Sequence, residues 1–301
     1  MTPVDELVSR FGVADQLDFE ELPGGLVVAR VSVPGASATI AIQGAQVLTY
    51  RPDGQAPVIW LSNEARFVPG KSIRGGVPVC WPWFGPHEEQ PQFPAHGFAR
   101  TVPWHLEEAW VMPDGRVQLV FELIQAAAIL DQWPHPSVVR NSITVGPELE
   151  IQLSTTNTGK RSLVLGQALH AYFEVGDVRQ VSITGLDRCD YLDRLAGGER
   201  RRQQGDVRFD GETDRIYLAT RGCCEIRDPV LRRSILVTST GSHSTVVWNP
   251  WIEKSDRLGD MGPDSYLNMV CVETANAAED TIHIGPGQTH HMAAQYRVLP
   301  A

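Results

Sequence analysis

Turns cut this chain into short pieces, and that limits what it can fold into. Glycine and proline number 27 and 21 among 301 residues. Turn-forming clusters recur at Pro23-Gly24-Gly25, Pro52-Asp53-Gly54, Pro113-Asp114-Gly115, Gly146-Pro147 and Gly197-Gly198. Glycine supplies positive φ and proline presets φ, so each cluster interrupts whatever precedes it. Between them lie short runs with a period of two, at residues 26–33, 37–42, 117–124, 142–144, 149–154, 163–175 and 234–239. That period belongs to half-buried strands, and no helical period persists over twelve residues or more. Pro113-Asp114-Gly115 between two such runs predicts a hairpin. The reading is an all-β protein, a large antiparallel β-sandwich. Residues 1–20 form an acidic lead-in with a short helix over 5–11. With no repeat, low-complexity tract or Ser/Gly-rich linker, residues 1–301 read as one domain.

Composition narrows the function classes. Hydrophobic residues make up 42% and charged residues 21%, enough apolar material to close a core and too much for a disordered chain. The formal net charge is −10, which argues against a general nucleic-acid binder and means that an anionic ligand needs locally placed Arg or Lys. No apolar run approaches a membrane span, and the acidic start lacks the apolar stretch of a secretory signal. The five cysteines are odd in number with no Cys-x-x-Cys pair, so neither a disulfide framework nor a cysteine zinc site is expected. A cytoplasmic protein follows.

Four stretches could carry chemistry. Residues 71–85 combine Lys71, Arg74, Gly75-Gly76 and the aromatics Trp81, Trp83 and Phe84. Gly70-Lys71-Ser72 is half a phosphate loop, but Ala65 stands where that motif needs Gly. Glycines allow close backbone approach and aromatic faces suit a sugar ring, while a packed loop explains the segment equally well. His96 and Arg100 in Ala95-His96-Gly97-Phe98-Ala99-Arg100 could meet an anion, Arg by bidentate bonding. Along 163–175, period two puts Gly166, Ala168, His170, Tyr172 and Glu174 on one face, with small residues leaving room beside His170. Near the C-terminus, Trp248-Asn249-Pro250-Trp251 precedes a charged loop. Alternation then puts Glu273 on the face of Met269, Cys271 and Ala275, where a carboxylate is costly unless paired or functional. His290 and His291 are adjacent in a strand, so they face opposite sides and make no two-His metal site. The charge cluster Glu199-Arg200-Arg201-Arg202 reads as a solvated loop.

Taken in order, Ser72-Ile73-Arg74-Gly75-Gly76-Val77-Pro78, His96-Gly97-Phe98-Ala99-Arg100, Ala168-Leu169-His170-Ala171-Tyr172-Phe173, Trp248-Asn249-Pro250-Trp251, Cys271-Val272-Glu273 and Pro286-Gly287 resemble the hexose-6-phosphate mutarotases of the aldose 1-epimerase superfamily. The resemblance runs from about residue 30 to residue 298. It implies a galactose-mutarotase-like β-sandwich acting on hexose 6-phosphates, with His170 as general acid and Glu273 as general base. It places Arg74, His96, Arg100 and Asp214 around the substrate, Arg74 and Arg100 on the phosphate with Lys71 a lesser candidate. Asp214 would read as a turn residue on its own. Some members carry Gln or Ser where this chain has Ala95.

The implied chemistry moves one proton onto the ring oxygen and one off the C1 hydroxyl, with no cofactor or metal and no partner beyond the sugar phosphate; a monomer suffices. Glu273 is expected to be ionised at pH 7, and a carboxylate, Asp214 or Glu273, to raise the His170 pKa. Rival readings are an epimerase of unphosphorylated aldoses and a non-catalytic sugar-phosphate-binding regulator. A glycoside hydrolase is a weaker rival, since no second carboxylate is placed like Glu273.

Overall fold

In the computed structural model, which describes residues 2–124 and 127–300, the short alternating runs pair into antiparallel sheets. One eight-stranded sheet runs Ser182–Thr184, Cys223–Asp228, Arg233–Thr240, Thr289–Pro300, Leu149–Asn157, Ser137–Val145, Val117–Leu123 and Trp104–Val111. The hairpin expected at 113–115 joins its last two strands. The second eight-stranded sheet follows the order Glu199–Arg202, Asp190–Asp193, Thr213–Tyr217, Ser244–Asn249, Met269–Asn276, Gln167–Leu169 and Val79–Cys80, with Tyr172–Glu174 also paired to Met269–Asn276. A four-stranded meander over residues 17–52 and a two-stranded ribbon complete the sheets.

The large sheets share one apolar core. Leu119, Phe121, Ile143, Leu153 and Tyr296 of the first pack with Leu169, Phe173, Val247, Val270 and Val272 of the second. The Phe173 and Tyr296 rings meet edge to face with centroids 5.0 Å apart, an arrangement favoured by the ring quadrupoles. Because the side-chain period is two, turning Val270 and Val272 into this core turns Cys271 and Glu273 out of its other side.

Three local readings change. Residues 163–175 are not one strand but three, Leu163–Leu165, Gln167–Leu169 and Tyr172–Glu174. The ladder breaks at His170 because its N–H goes to the Pro78 carbonyl and that of Tyr172 to Gly76. The expected faces survive: Leu169, Ala171 and Phe173 enter the main core, whereas Ala168 and Tyr172 join clusters on the opposite side. The charged stretch after Trp251 is a helix, Trp251–Leu258, too short to show a sustained period. Glu199–Arg202 is a strand, fully exposed at a sheet edge, where charge discourages edge-to-edge pairing. The lead-in helix is present as Pro3–Phe11, and Phe11, Leu17 and Phe19 are buried in the core.

Candidate active site

Strand register builds the site. Ala168 and Leu169 pair with Ala275 and Thr274, and Tyr172 pairs with Cys271. Carried through the break, that register sets His170 opposite Glu273. Val246 also pairs with Glu273 and with Ile216, and Ile216 with Leu192. One cross-strand row therefore reads Leu192, Ile216, Val246, Glu273 and His170. The next row reads Asp214, Trp248, Cys271 and Tyr172. Cross-strand neighbours on one face lie about 5 Å apart, so two rows make a compact floor.

Above the floor is a cavity of about 560 Å³. It is lined by all six residues singled out in the sequence: Arg74, His96, Arg100, His170, Asp214 and Glu273. Lys71, the lesser candidate, is exposed and does not line it. Arg194 and Lys254 do, and the sequence reading missed both. Lys254 was hidden because its helix was read as a loop, and Arg194 stands in no recognisable motif. Trp248 and Phe84 supply the apolar walls.

At the floor, His170 Nδ1 lies 3.3 Å from Glu273 Oε1, and the two residues are only 8% and 1% exposed. The His170 ring stacks on Tyr172 with centroids 4.8 Å apart and planes 8° apart, and meets Trp248 edge to face. The Tyr172 hydroxyl accepts from Arg74 Nη1 at 3.2 Å, and Arg74 Nε donates to Asp260 Oδ1 at 3.0 Å. This chain of contacts fixes the imidazole plane.

The expected protonation states do not hold in this setting. Burial pushes the His170 pKa well below its usual value, helped by His96 and the Arg100 and Arg74 cations. Burial pushes Glu273 well above its usual value, with the Asp214 charge adding and Arg100 opposing. Desolvation outweighs the mutual attraction that sequence reasoning had relied on. A carboxylic acid beside a neutral imidazole holds the same single proton as a carboxylate beside an imidazolium, so only the proton's position differs. Burial also raises Asp214, with Lys254 (Nζ 3.9 Å away) the leading opposing influence. Asp214 thus acts electrostatically on Glu273, and not on His170 as expected.

The His96 loop turns on two positive-φ residues, His96 at 66° and Gly97 at 70°. A Cβ on Gly97 would fall 1.9 Å from the Trp81 carbonyl oxygen, so a side chain there is barred by backbone. The same holds at Gly76, where a Cβ would meet the Val47 carbonyl at 2.3 Å. These glycines admit neighbouring chain rather than ligand. His96 Nδ1 accepts from the Gly85 N–H at 3.4 Å, leaving the ring's proton on Nε2. Burial and the surrounding cations lower its pKa to about 3. Arg100 Nη2 donates to the Ala95 carbonyl at 2.8 Å, so residue 95 serves here through its backbone.

A β-sandwich with a histidine and a carboxylate paired beneath an open cavity is the class of protein seen here, and the chain belongs to the aldose 1-epimerase family, whose pattern matches residues 29–297. Among its relatives, a protein of Escherichia coli (strain K12) bearing the name "Putative glucose-6-phosphate 1-epimerase" is 41% identical over 270 residues, 89% of either chain. One of the same name from Cenchrus ciliaris is 37% identical, covering 83% of this chain and 78% of its own. The crystal structure of "a putative mutarotase (YeaD)" from Salmonella typhimurium superposes with a TM-score of 0.90 at 33% identity over the whole of both chains.

Proposed function

We propose that this protein interconverts the α and β anomers of hexose 6-phosphates, chiefly glucose 6-phosphate. The observation that carries the reading is the His170–Glu273 pair at 3.3 Å, set on the floor of a cavity rimmed by Arg74, Arg100, Arg194 and Lys254. Anomer exchange needs a base on the C1 hydroxyl and an acid on the ring oxygen, after which the open chain rotates about C1–C2 and recloses. Glu273 serves as base and His170 as acid, and the single proton they hold supplies both roles in turn. Sugar hydroxyls entering the floor replace lost hydration and draw that proton toward His170. Each transfer is typically worth ~10²–10⁴-fold in rate.

His96, with its proton on Nε2, offers a donor to a sugar oxygen, and Asp214 an acceptor to a hydroxyl. Arg74 and Arg100 hold the phosphate, with Arg194 and Lys254 adding charge at the rim. Four cations in one cavity stand against the chain's overall charge of −10, which fits a dianionic ligand better than a plain sugar.

The test follows anomerisation of freshly dissolved α-glucose 6-phosphate with a dehydrogenase that consumes only the β anomer, comparing wild type with His170→Ala, and plain glucose by polarimetry. Acceleration for the phosphate ester alone, lost in the variant, is expected. Acceleration of glucose alone would keep the acid–base pair and overturn the phosphate assignment. No acceleration of either would leave a sugar-phosphate-binding protein.

A further inference from the structure

One buried group beside the reacting pair has no part in the reaction described above. Cys271 is fully buried and lies two residues from Glu273 on the same face of its strand. The Cys271 sulfur, a ring nitrogen of His170 and a carboxylate oxygen of Glu273 all lie within 4.8 Å of one another. Around a tetrahedral ion with bonds of ~2.0–2.3 Å, donor atoms sit roughly 3.3–3.8 Å apart. His170 and Glu273 already meet at 3.3 Å, so the sulfur, ideally about 3.5 Å from each, has about 1.3 Å at most left to close. Two of the buried atoms here, His170 Nδ1 and Glu273 Oε2, have no hydrogen-bond partner, which is uncommon for buried polar atoms.

We propose that His170, Cys271 and Glu273 form a latent zinc site whose occupation switches the protein off. The donor set is one imidazole, one thiolate and one carboxylate. Such a mixture suits zinc and disfavours magnesium or calcium, which take oxygen ligands. Three protein ligands leave a fourth position; two of the three, His170 and Glu273, line the cavity, whereas Cys271 is buried away from it. The ion enters through the cavity. It displaces the thiol proton and the proton shared by His170 and Glu273, and both leave to solvent. The two anionic ligands then offset the ion's charge in surroundings that already contain Arg74 and Arg100. With its lone pairs on zinc, Glu273 cannot take a proton from C1–OH, and His170, neutral and held to zinc through one nitrogen, lacks the imidazolium proton that the ring oxygen needs. The loss of activity rests on the proposed function; the binding does not.

The experiment uses the full chain freed of metal by EDTA, with Co²⁺ as the optical probe and Zn²⁺ as competitor. The expected results are one Co²⁺ per chain, a cobalt–thiolate band in the near ultraviolet, and bleaching of that band by Zn²⁺. Stoichiometric Zn²⁺ is expected to inhibit turnover of glucose 6-phosphate, with full recovery on adding EDTA. Cys271→Ala is expected to keep metal-free activity, lose the band, and need at least about tenfold more zinc for inhibition. Other cysteines, such as exposed Cys223, could also bind cobalt, so loss of the band in His170→Asn provides a second assignment should Cys271→Ala not fold. Absence of a thiolate band in wild type, its survival in either variant, or equal zinc sensitivity of wild type and Cys271→Ala would overturn the site. An intact band in a protein that turns over no sugar would instead sink the proposed function and leave the metal site standing.

Discussion

The floor and the rim of this cavity are built by opposite rules. On the floor, His170, Glu273, Tyr172 and Cys271 are buried, stacked and fixed by strand register, and desolvation decides where their protons sit. At the rim, Arg74, Arg100 and Lys254 are half-buried and Arg194 is exposed, on helices and loops, in contact with water. Charge on the floor is costly and therefore movable, which suits a group that must give and take a proton. Charge at the rim is hydrated and permanent, which suits holding an anion. The molecule keeps proton chemistry and anion binding apart within one cavity by giving each its own degree of hydration.

Substitutions on the two levels should therefore fail in different currencies. Glu273→Gln on the floor should lower kcat by about 10²–10⁴-fold with KM nearly unchanged. Its thermal midpoint should not fall, because the substitution removes a buried ionisable carboxyl; a large rise in KM with kcat preserved would erase the distinction. Arg100→Ala at the rim should raise KM for glucose 6-phosphate by about 10–100-fold, the loss of a hydrogen bond to a charged group, and leave any turnover of glucose untouched. Equal effects on both sugars would remove Arg100 from the phosphate. Lys254→Met should weaken substrate binding by only about twofold to fivefold, because the lysine is partly solvated and already engages Glu212 at 2.9 Å. A titration of KM against salt should show a shallower slope in this variant.

His96 lies between the two levels and sharpens the comparison through stability. Its pKa is depressed from about 6.5 in the unfolded chain to about 3 in the fold. A depressed pKa contributes stability that is fully present above the unfolded value and is lost as pH falls through the folded one. Urea midpoints should therefore decline between about pH 6.5 and about pH 3, and His96→Asn, which tolerates the same positive φ, should flatten that decline. An unchanged slope would mean that His96 is as hydrated as the rim.

The sequence made the floor more legible than the rim, for a physical reason. Period-two alternation put His170 with Tyr172 and Glu273 with Cys271 because strands force that geometry, and the faces held even where the ladder breaks at His170. Pairing between distant strands sets the register that brings those two segments together, and a single strand carries no mark of it. Lys254 escaped notice because an eight-residue helix shows no sustained period, and Arg194 because its place depends on how Asp190–Asp193 pairs. Asp214 was visible only through family resemblance; its strand, Thr213–Tyr217, begins one residue earlier, so its turn-like context was misleading. Protonation was misjudged because charge pairing can be guessed from residue types, whereas desolvation depends on what packs above and below.

The constant register across Ala168, Leu169 and Tyr172 also bears on which changes in length the molecule can survive. Rim segments such as 86–95 can gain or lose residues and alter only what the cavity admits. One residue inserted between Met269 and Glu273 would instead turn the carboxylate toward the sandwich core and offer a valine to the substrate. Among natural variants, length differences should accordingly collect in the rim segments and be missing from the two strand stretches that set His170 against Glu273.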